Sequence, residues 1–423
     1  MPLKLNGSTS GYVIVDAPAV AGTNTLTLPA VTDTVTTNAA TQTLSNKTLS
    51  SPTITGTATS TGDISTTGTV VMGSSFLRNR IINGDMRIDQ RNAGASVTPA
   101  NLAYTLDRWS AGLSQSSKFS IQQNAGSVTP PTGFINYLGV TSSSAYSVLT
   151  SDFFTVFQKI EGLNISDLAW GTASAQTVTL SFWVRSSLTG TFGGALKNNA
   201  SDRAYPFSYT INSANTWERE TITIAGDTSG TWLTTSGVGI NLVFSLGAGA
   251  TYSTTAGAWA AGNYVSATGA QSVVGTNGAT LYITGVQLEV GSVATPFERR
   301  LYGQELALCQ RYYEKSYDVT TNPGTATTNG MASGYYNATN GINQRFPIKF
   351  AVTKRSTPTM LGWDAAGNAN KVTCYNSGNT QTNNLSSGSR SFVLIGTQGA
   401  ALNEADLGGY YAITTHWTAE SEL

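Results

Sequence analysis

The 423-residue sequence holds one histidine, two cysteines and only 11% charged residues. Each scarcity removes a class of chemistry. One imidazole leaves almost no material for a His-based zinc centre or a Ser-His-Asp triad, so His416 reads as a structural or surface histidine. Cys309 and Cys374 lie far apart and frame neither a disulfide scaffold nor a metal site. Lysine plus arginine (23) equals aspartate plus glutamate (23). With no basic run and no arginines set among aromatics, nucleic acid is not an expected partner. No apolar run approaches the roughly 18 residues of a membrane span. The N-terminal MPLKLNGSTSGYVIV lacks a continuous apolar signal core. GTFGGALKNNA (190–200) has glycines without the lysine spacing of a phosphate loop. The expectation is a soluble protein made in a reducing compartment, with no cofactor and no metal.

What replaces charge is Gly, Ser, Thr and Asn, the composition of β structure with many turns. Aromatics at 9% and hydrophobic residues at 40% suffice for folded domains over most of the length. The first region, residues 1–75, holds 28 Ser or Thr and one aromatic, Tyr12. Short alternating pieces such as YVIV (12–15) and TLTL (25–28) occur in it. Gly56, Gly62 and Gly68 recur every six residues, with Ile64 and Val70 at the same spacing. One or two aliphatics per repeat cannot bury a face alone, whereas three chains wound together could share one. A flexible Ser/Thr linker is the competing reading. The regular glycine spacing favours a slender trimeric β shaft over 41–75, preceded by an attachment segment, 1–40.

Two phrases here carry a resemblance. GYVIVDAPAVAGTNTLTLPAVTDTVTT (11–37) followed by TLSNKTLSSPTITGT (43–57) is similar to the N-terminal part of bacteriophage tail-fibre proteins. That resemblance implies virion attachment at the N-terminus with a shaft behind it.

Composition changes at FLRNRIINGDMRIDQRN (76–92), and six of the eight tryptophans lie between there and residue 298. TVTLSFWVR (177–185), RETITIAG (219–226), GVGINLVFSLG (237–247) and ATLYITGVQLEV (279–290) read as strands. Val178, Leu180, Phe182 and Val184 alternate with Thr179, Ser181 and Trp183, the period of a strand with one buried face. Several such strands over 76–298 predict a β-sandwich or jelly roll. The opening Ile82-Asn83-Gly84-Asp85-Met86-Arg87, the Asp107-Arg108-Trp109 after it and the closing Leu281–Glu289 strand resemble jelly-roll carbohydrate-binding modules. Such modules carry acids where this chain has Arg87, Thr284 and Gly285, so the structural calcium implied by the resemblance loses its ligands here.

PFERRLYGQELALCQRYYEKSY (296–317) predicts one helix, 299–317, with apolar residues at spacings of three and four. It fits either beneath the sandwich or as one of three helices about an axis. The second is favoured, with Leu301, Leu308, Cys309 and Tyr312 as trimer core. The phrase VQLEVGSVATPFERR…ELALCQRYY (286–313) also resembles phage fibre proteins. Residues 318–423 predict a terminal β domain, a tip or trimer-locking cap.

No catalytic residue is assigned. Asp152, Asp167, Asp202 and Asp227 lie singly at strand ends or turns. Glu218 and Glu220 share a strand face with Arg219 opposite, which reads as a solvated surface rather than a carboxylate pair. Glycan binding needs an aromatic face for the sugar ring and amides or charges for its hydroxyls. The candidates are Trp183, Trp217, Trp232 and Trp259, with Tyr375, Asn383 and Arg390 of the polar loop 375–391. For each tryptophan taken singly a core position is the commoner outcome.

The expected protein is thus mostly β: an elongated homotrimeric fibre with shaft, jelly roll, central helix and terminal β domain. Its expected place is the virion exterior, where it adheres to host polysaccharide or lipopolysaccharide by multivalent, non-catalytic binding. Its partners would be itself, other virion proteins and that glycan, without membrane insertion. A capsid-mounted spike, a polysaccharide-degrading tailspike and a secreted carbohydrate-binding protein are the alternatives, in that order.

Overall fold

The computed structural model describes residues 3–6, 12–15, 78–335, 344–376, 379–385, 390–404 and 412–423. The chain divides into two compact units, Met1–Val71 and Met72–Leu423. In the first, β1 (Leu3–Asn6) and β2 (Tyr12–Val15) form an antiparallel hairpin with Leu3 opposite Val15 and Asn6 opposite Tyr12. The shaft expected over 41–75 lies outside the described residues.

The second unit opens with a sandwich. Its strands are β3 (Tyr104–Leu106), β4 (Trp109–Leu113), β5 (Phe119–Gln123), β6 (Leu138–Ser142), β7 (Phe153–Glu161), β8 (Val178–Ser186), β9 (Gly190–Lys197), β10 (Arg203–Ile211), β11 (Glu218–Ile224) and β12 (Val238–Ala248). The short β13 (Ser253–Thr254), β14 (Ala260–Ala261) and β15 (Ser266–Ala267) precede the long closing strand β16 (Thr280–Val290). One sheet runs β14-β10-β9-β12-β7-β4-β3 and the other β11-β8-β16-β6-β5, while β13 and β15 pair in parallel. Neighbours within both large sheets are antiparallel.

Alternation places the core. Val178, Leu180, Phe182 and Val184 of β8 and Ile240, Leu242, Phe244 and Leu246 of β12 are all buried in one cluster between the sheets. Phe244 sits centrally, its ring centroid 5.0 Å from Phe182 and 6.3 Å from Trp109. In β16 a bulge falls between Thr284 and Gln287. Gly285 there has φ +61°, and a Cβ would meet the Phe134 ring at 2.6 Å, so glycine meets both the backbone and the space requirement.

The segment 79–90 docks on that bulge. Arg80 N–H donates to Leu288 O and Val286 N–H to Gly84 O, while Asn79 Nδ2 donates to Val286 O. A Cβ on Gly84 would stand 2.2 Å from Val286 O, so only glycine allows this approach. Asn83, in the left-handed region at φ 56°, holds the turn together. Its side chain accepts from Ile88 N–H and donates to Ile88 O and Asp107 O, and its carbonyl accepts from Trp109 Nε1.

The helix α1 covers Tyr302–Gln310, shorter than the expected 299–317, and is followed by strand β17 (Tyr313–Lys315). The tyrosines that extended the apparent helix stripe have stronger partners elsewhere. Tyr312 Oη donates to the buried Glu161 at 2.6 Å, and Tyr313 pairs with Glu420 in a β ladder. The helix packs on the opening segment of its own chain, and the residues expected at a trimer core divide between buried and exposed positions. Cys309 and Tyr312 are fully buried against Ile82 and Ile88, Leu308 packs partly on that cluster, and Leu301 is 73% exposed. Burial pushes the Cys309 thiol well up, so it is an inert apolar filler.

The remaining strands are β18 (Ala332–Tyr335), β19 (Gln344–Lys349), β20 (Thr359–Trp363), β21 (Lys371–Asn376), β22 (Asn379–Asn384), β23 (Arg390–Leu394), β24 (Gly399–Glu404) and β25 (Ala412–Glu420). β25 is their spine: β17 and β20 pair along one end of it, β18 and β21 along the other. The three-stranded sheet β19-β24-β23 supplies Ile348, Ala400 and Leu402 to the cores shared with Trp417, Ala419 and Ile413. Buried charge ties this region to the sandwich. Arg108 lies 3.5 Å over the Tyr312 ring and pairs with Glu422, and Arg311 grips Glu161 through two hydrogen bonds of 2.9 and 2.6 Å. Burial pushes the Glu161 carboxyl up, but Arg311 and the Tyr312 hydroxyl outweigh that and hold it below the usual range.

Candidate functional site

The tryptophans singled out in the sequence are not brought together. Trp232 is buried and meets Trp170 and Trp259 edge-on, with centroids 4.7 to 5.3 Å apart, at one margin of the sandwich core. That triad corrects the reading of Trp232 as a sugar platform, since its faces are spent on other indoles. Trp259 donates to Ala225 O at 2.7 Å and Trp217 to Thr129 O at 2.9 Å, and Trp217 packs against Tyr137. Trp183 is half-buried on the outer face of the five-stranded sheet, opposite Thr284 and Arg219. Tyr375 is half-buried on β21, and the side chains of Asn383 and Arg390 lie outside the described residues.

His416 is fully buried, stacked 3.6 Å from the Tyr317 ring. Its Nδ1 faces Ser316 Oγ at 2.9 Å and its Nε2 faces Thr327 O at 3.1 Å. Because the Thr327 carbonyl can only accept, Nε2 carries the proton and Nδ1 accepts from the serine. Burial pushes its pKa below the ordinary value. Ser316 Oγ in turn accepts from Trp417 N–H, so this serine–histidine contact knits two strands rather than presenting a nucleophile.

A calcium ion does not fit the opening motif. Arg87 Nε stands 2.5 Å from Asp85 Oδ2 and occupies the carboxylate, Thr284 Oγ1 donates to Asn136 O, and Gly285 has no side chain. The guanidinium provides the positive charge that a cation would otherwise bring.

A groove does open elsewhere, on the outer face of the seven-stranded sheet. β7 is apolar on both faces: Phe154, Val156 and Ile160 enter the core, while Phe153, Thr155, Phe157 and Lys159 point the other way. Phe157, Val243 of β12 and Val265 form a second apolar cluster there, flanked by Phe153 and Tyr252, whose rings meet at 5.0 Å. The groove has a volume of about 300 Å³, near the lower bound of small-molecule sites. Asn101, Asn199, Asn241 and Asn263 supply amides around this floor, and Lys159 and Lys197 supply charge. Among its described lining residues there is no Asp, Glu or His.

Neither lysine pairs with an Asp or Glu side chain among the described residues. Lys197 Nζ donates to Asn263 Oδ1 at 2.5 Å, and Lys159 Nζ donates to Leu423 O at 2.6 Å. Burial lowers the Lys197 pKa to about 8. Burial also lowers that of Lys159, with help from the nearby Arg108 and Arg355 charges.

No family model and no curated protein matches the chain. Several solved structures resemble part of it. The enzymatically active domain of tailspike protein 4 from bacteriophage CBA120 aligns over 50% of this chain at 11% identity and a TM-score of 0.29, spanning 21% of that chain's length. A putative sugar binding protein from Bacteroides thetaiotaomicron aligns over 51% of this chain and 100% of its own, at 11% identity and a TM-score of 0.29. The family 11 carbohydrate-binding module from Clostridium thermocellum, in complex with a β-1,3-1,4-mixed-linked tetrasaccharide, covers 47% and 98%, at 12% identity and a TM-score of 0.24. At these values the likenesses assign neither a ligand nor an activity to this chain.

Proposed function

We propose that the chain is a non-catalytic, glycan-binding fibre protein of a bacteriophage, and that it holds host surface polysaccharide in the groove on the seven-stranded sheet. The groove itself carries this reading. An apolar floor edged by Phe153 and Tyr252 suits the hydrophobic face of a sugar ring, and the amides around it suit the hydroxyls. A lining without carboxylates among the described residues favours binding over hydrolysis, since glycosidases work with an acid pair. The tail-fibre phrases at 11–37 and 43–57 support mounting on a virion through the N-terminal region, and the six-residue glycine spacing supports three chains per fibre.

Two measurements test this. Val243 forms the groove floor and is almost wholly buried, so Val243→Trp fills the groove from an outward-facing position. On immobilised host polysaccharide the wild-type chain is retained and V243W is not, while Trp183→Ala and Trp217→Ala bind as wild type. Retention of V243W with an unchanged melting curve would locate the site elsewhere. Light scattering on the full chain returns three copies of 44.2 kDa. A mass of one copy at all concentrations would remove the trimeric shaft.

A further inference from the structure

The chain as a whole is electrically balanced, with 23 basic and 23 acidic side chains, yet the described lining of the groove contains two lysines and no acid. That imbalance is local. Lys197, at the end of β9, is only partly exposed, and its recorded partner is the neutral amide oxygen of Asn263. Taking an ammonium out of water against a neutral acceptor costs free energy that a carboxylate would offset. The charged groups on neighbouring elements do not supply one. Asp202 accepts from Asn198 Nδ2, Arg203 is paired with Asp227, and Lys159 on β7 carries the same sign as Lys197. Among the described residues the ammonium therefore stands beside an apolar, sugar-sized floor with no carboxylate side chain as partner.

Resting on the reading of the groove as a glycan site, we propose that its occupant is an acidic oligosaccharide, with a sugar carboxylate pairing with Lys197 in place of the Asn263 amide. The class is uronic or other carboxyl-bearing sugars. The ring lies over the apolar floor, and the carboxylate turns toward the end of β9.

The test uses the full chain and a panel of bacterial capsular and exopolysaccharides, each printed in native and in carboxyl-reduced form. Reduction turns the carboxylate into an alcohol and leaves the backbone intact. Native uronate-containing members are retained at least about tenfold more tightly than their reduced forms, the factor that 1.4 kcal/mol represents. Lys197→Gln abolishes that preference with an unchanged melting curve, and Lys197→Arg keeps it. Because the wild-type ammonium titrates at about 8, its preference falls as pH rises through that value, while K197R holds it beyond pH 9. The other titratable lining groups, Lys159 and Tyr252, are common to both proteins. Equal binding of native and reduced forms, lost in V243W, overturns the acidic occupant and leaves the groove as a neutral-glycan site. Binding to no member of the panel overturns both.

Discussion

Asn83→Ala lowers the stability of the chain by about 3–5 kcal/mol in denaturant unfolding, the sum of several stranded hydrogen-bonding groups at roughly 1–3 kcal/mol each after relaxation. The residue is fully buried, and its amide satisfies one main-chain donor and two main-chain acceptors at 2.8 to 3.0 Å. Alanine strands the Ile88 N–H and the carbonyls of Ile88 and Asp107 where water cannot reach them. It also carries a Cβ into a backbone at φ 56°, which asparagine tolerates better. Asn83→Gly separates the two effects: it relieves the backbone and loses less than N83A by up to about 1 kcal/mol. A loss below about 1 kcal/mol for N83A would show that the turn collapses onto other partners. The effect reaches past the turn, because Asn83 N–H donates to Glu305 on α1 and its carbonyl holds the Trp109 indole.

Lys354→Met costs about 3–5 kcal/mol, the usual penalty for leaving one buried charge without its partner. Lys354 is buried, and its ammonium donates to Glu314, to Gln310 O at 2.6 Å and to Val352 O at 2.9 Å. Burial pulls its pKa down while the Glu314 carboxylate pulls it back up, which leaves a net lowering. Once methionine replaces it, Glu314 keeps the Ala351 N–H but faces apolar surroundings as an anion. The double variant K354M/E314Q removes the stranded charge and returns to within about 1–2 kcal/mol of wild type, so the double-mutant cycle reports strong coupling. Additive losses would mean that solvent enters and screens the pair.

The sandwich strands were legible because β8, β12 and β16 carry their pattern locally. Val178 to Val184 could face only one way at period two. The helix was overextended because Tyr312 and Tyr313 match its stripe, and their partners, Glu161 and Glu420, are more than 100 positions away. The tryptophan cluster was hidden for a related reason: nothing in the sequence says that Trp170, Trp232 and Trp259 meet one another. The groove needed four strands and the four connecting segments that carry Asn101, Asn199, Tyr252 and Asn263 to be assembled before it existed. One local signal did point to it: in FFTVFQKIE (153–161) aromatic or apolar residues fall on both faces of the strand, more than a sheet with one solvated face requires.

Strand β25 has a kinetic consequence. Its four partners wait for a segment synthesised between 37 residues later (Tyr375 to Ala412) and 107 residues later (Tyr313 to Glu420). Loop closure over such spans precedes the contacts that compensate it, which makes this region the slow phase of folding. Until β25 arrives, β17, β18, β20 and β21 present open edges that other nascent chains could pair with. In the cell, the yield of this protein is then governed by how long those edges stay uncovered on the ribosome, and slower synthesis beyond residue 400 lowers it more than slower synthesis within the sandwich.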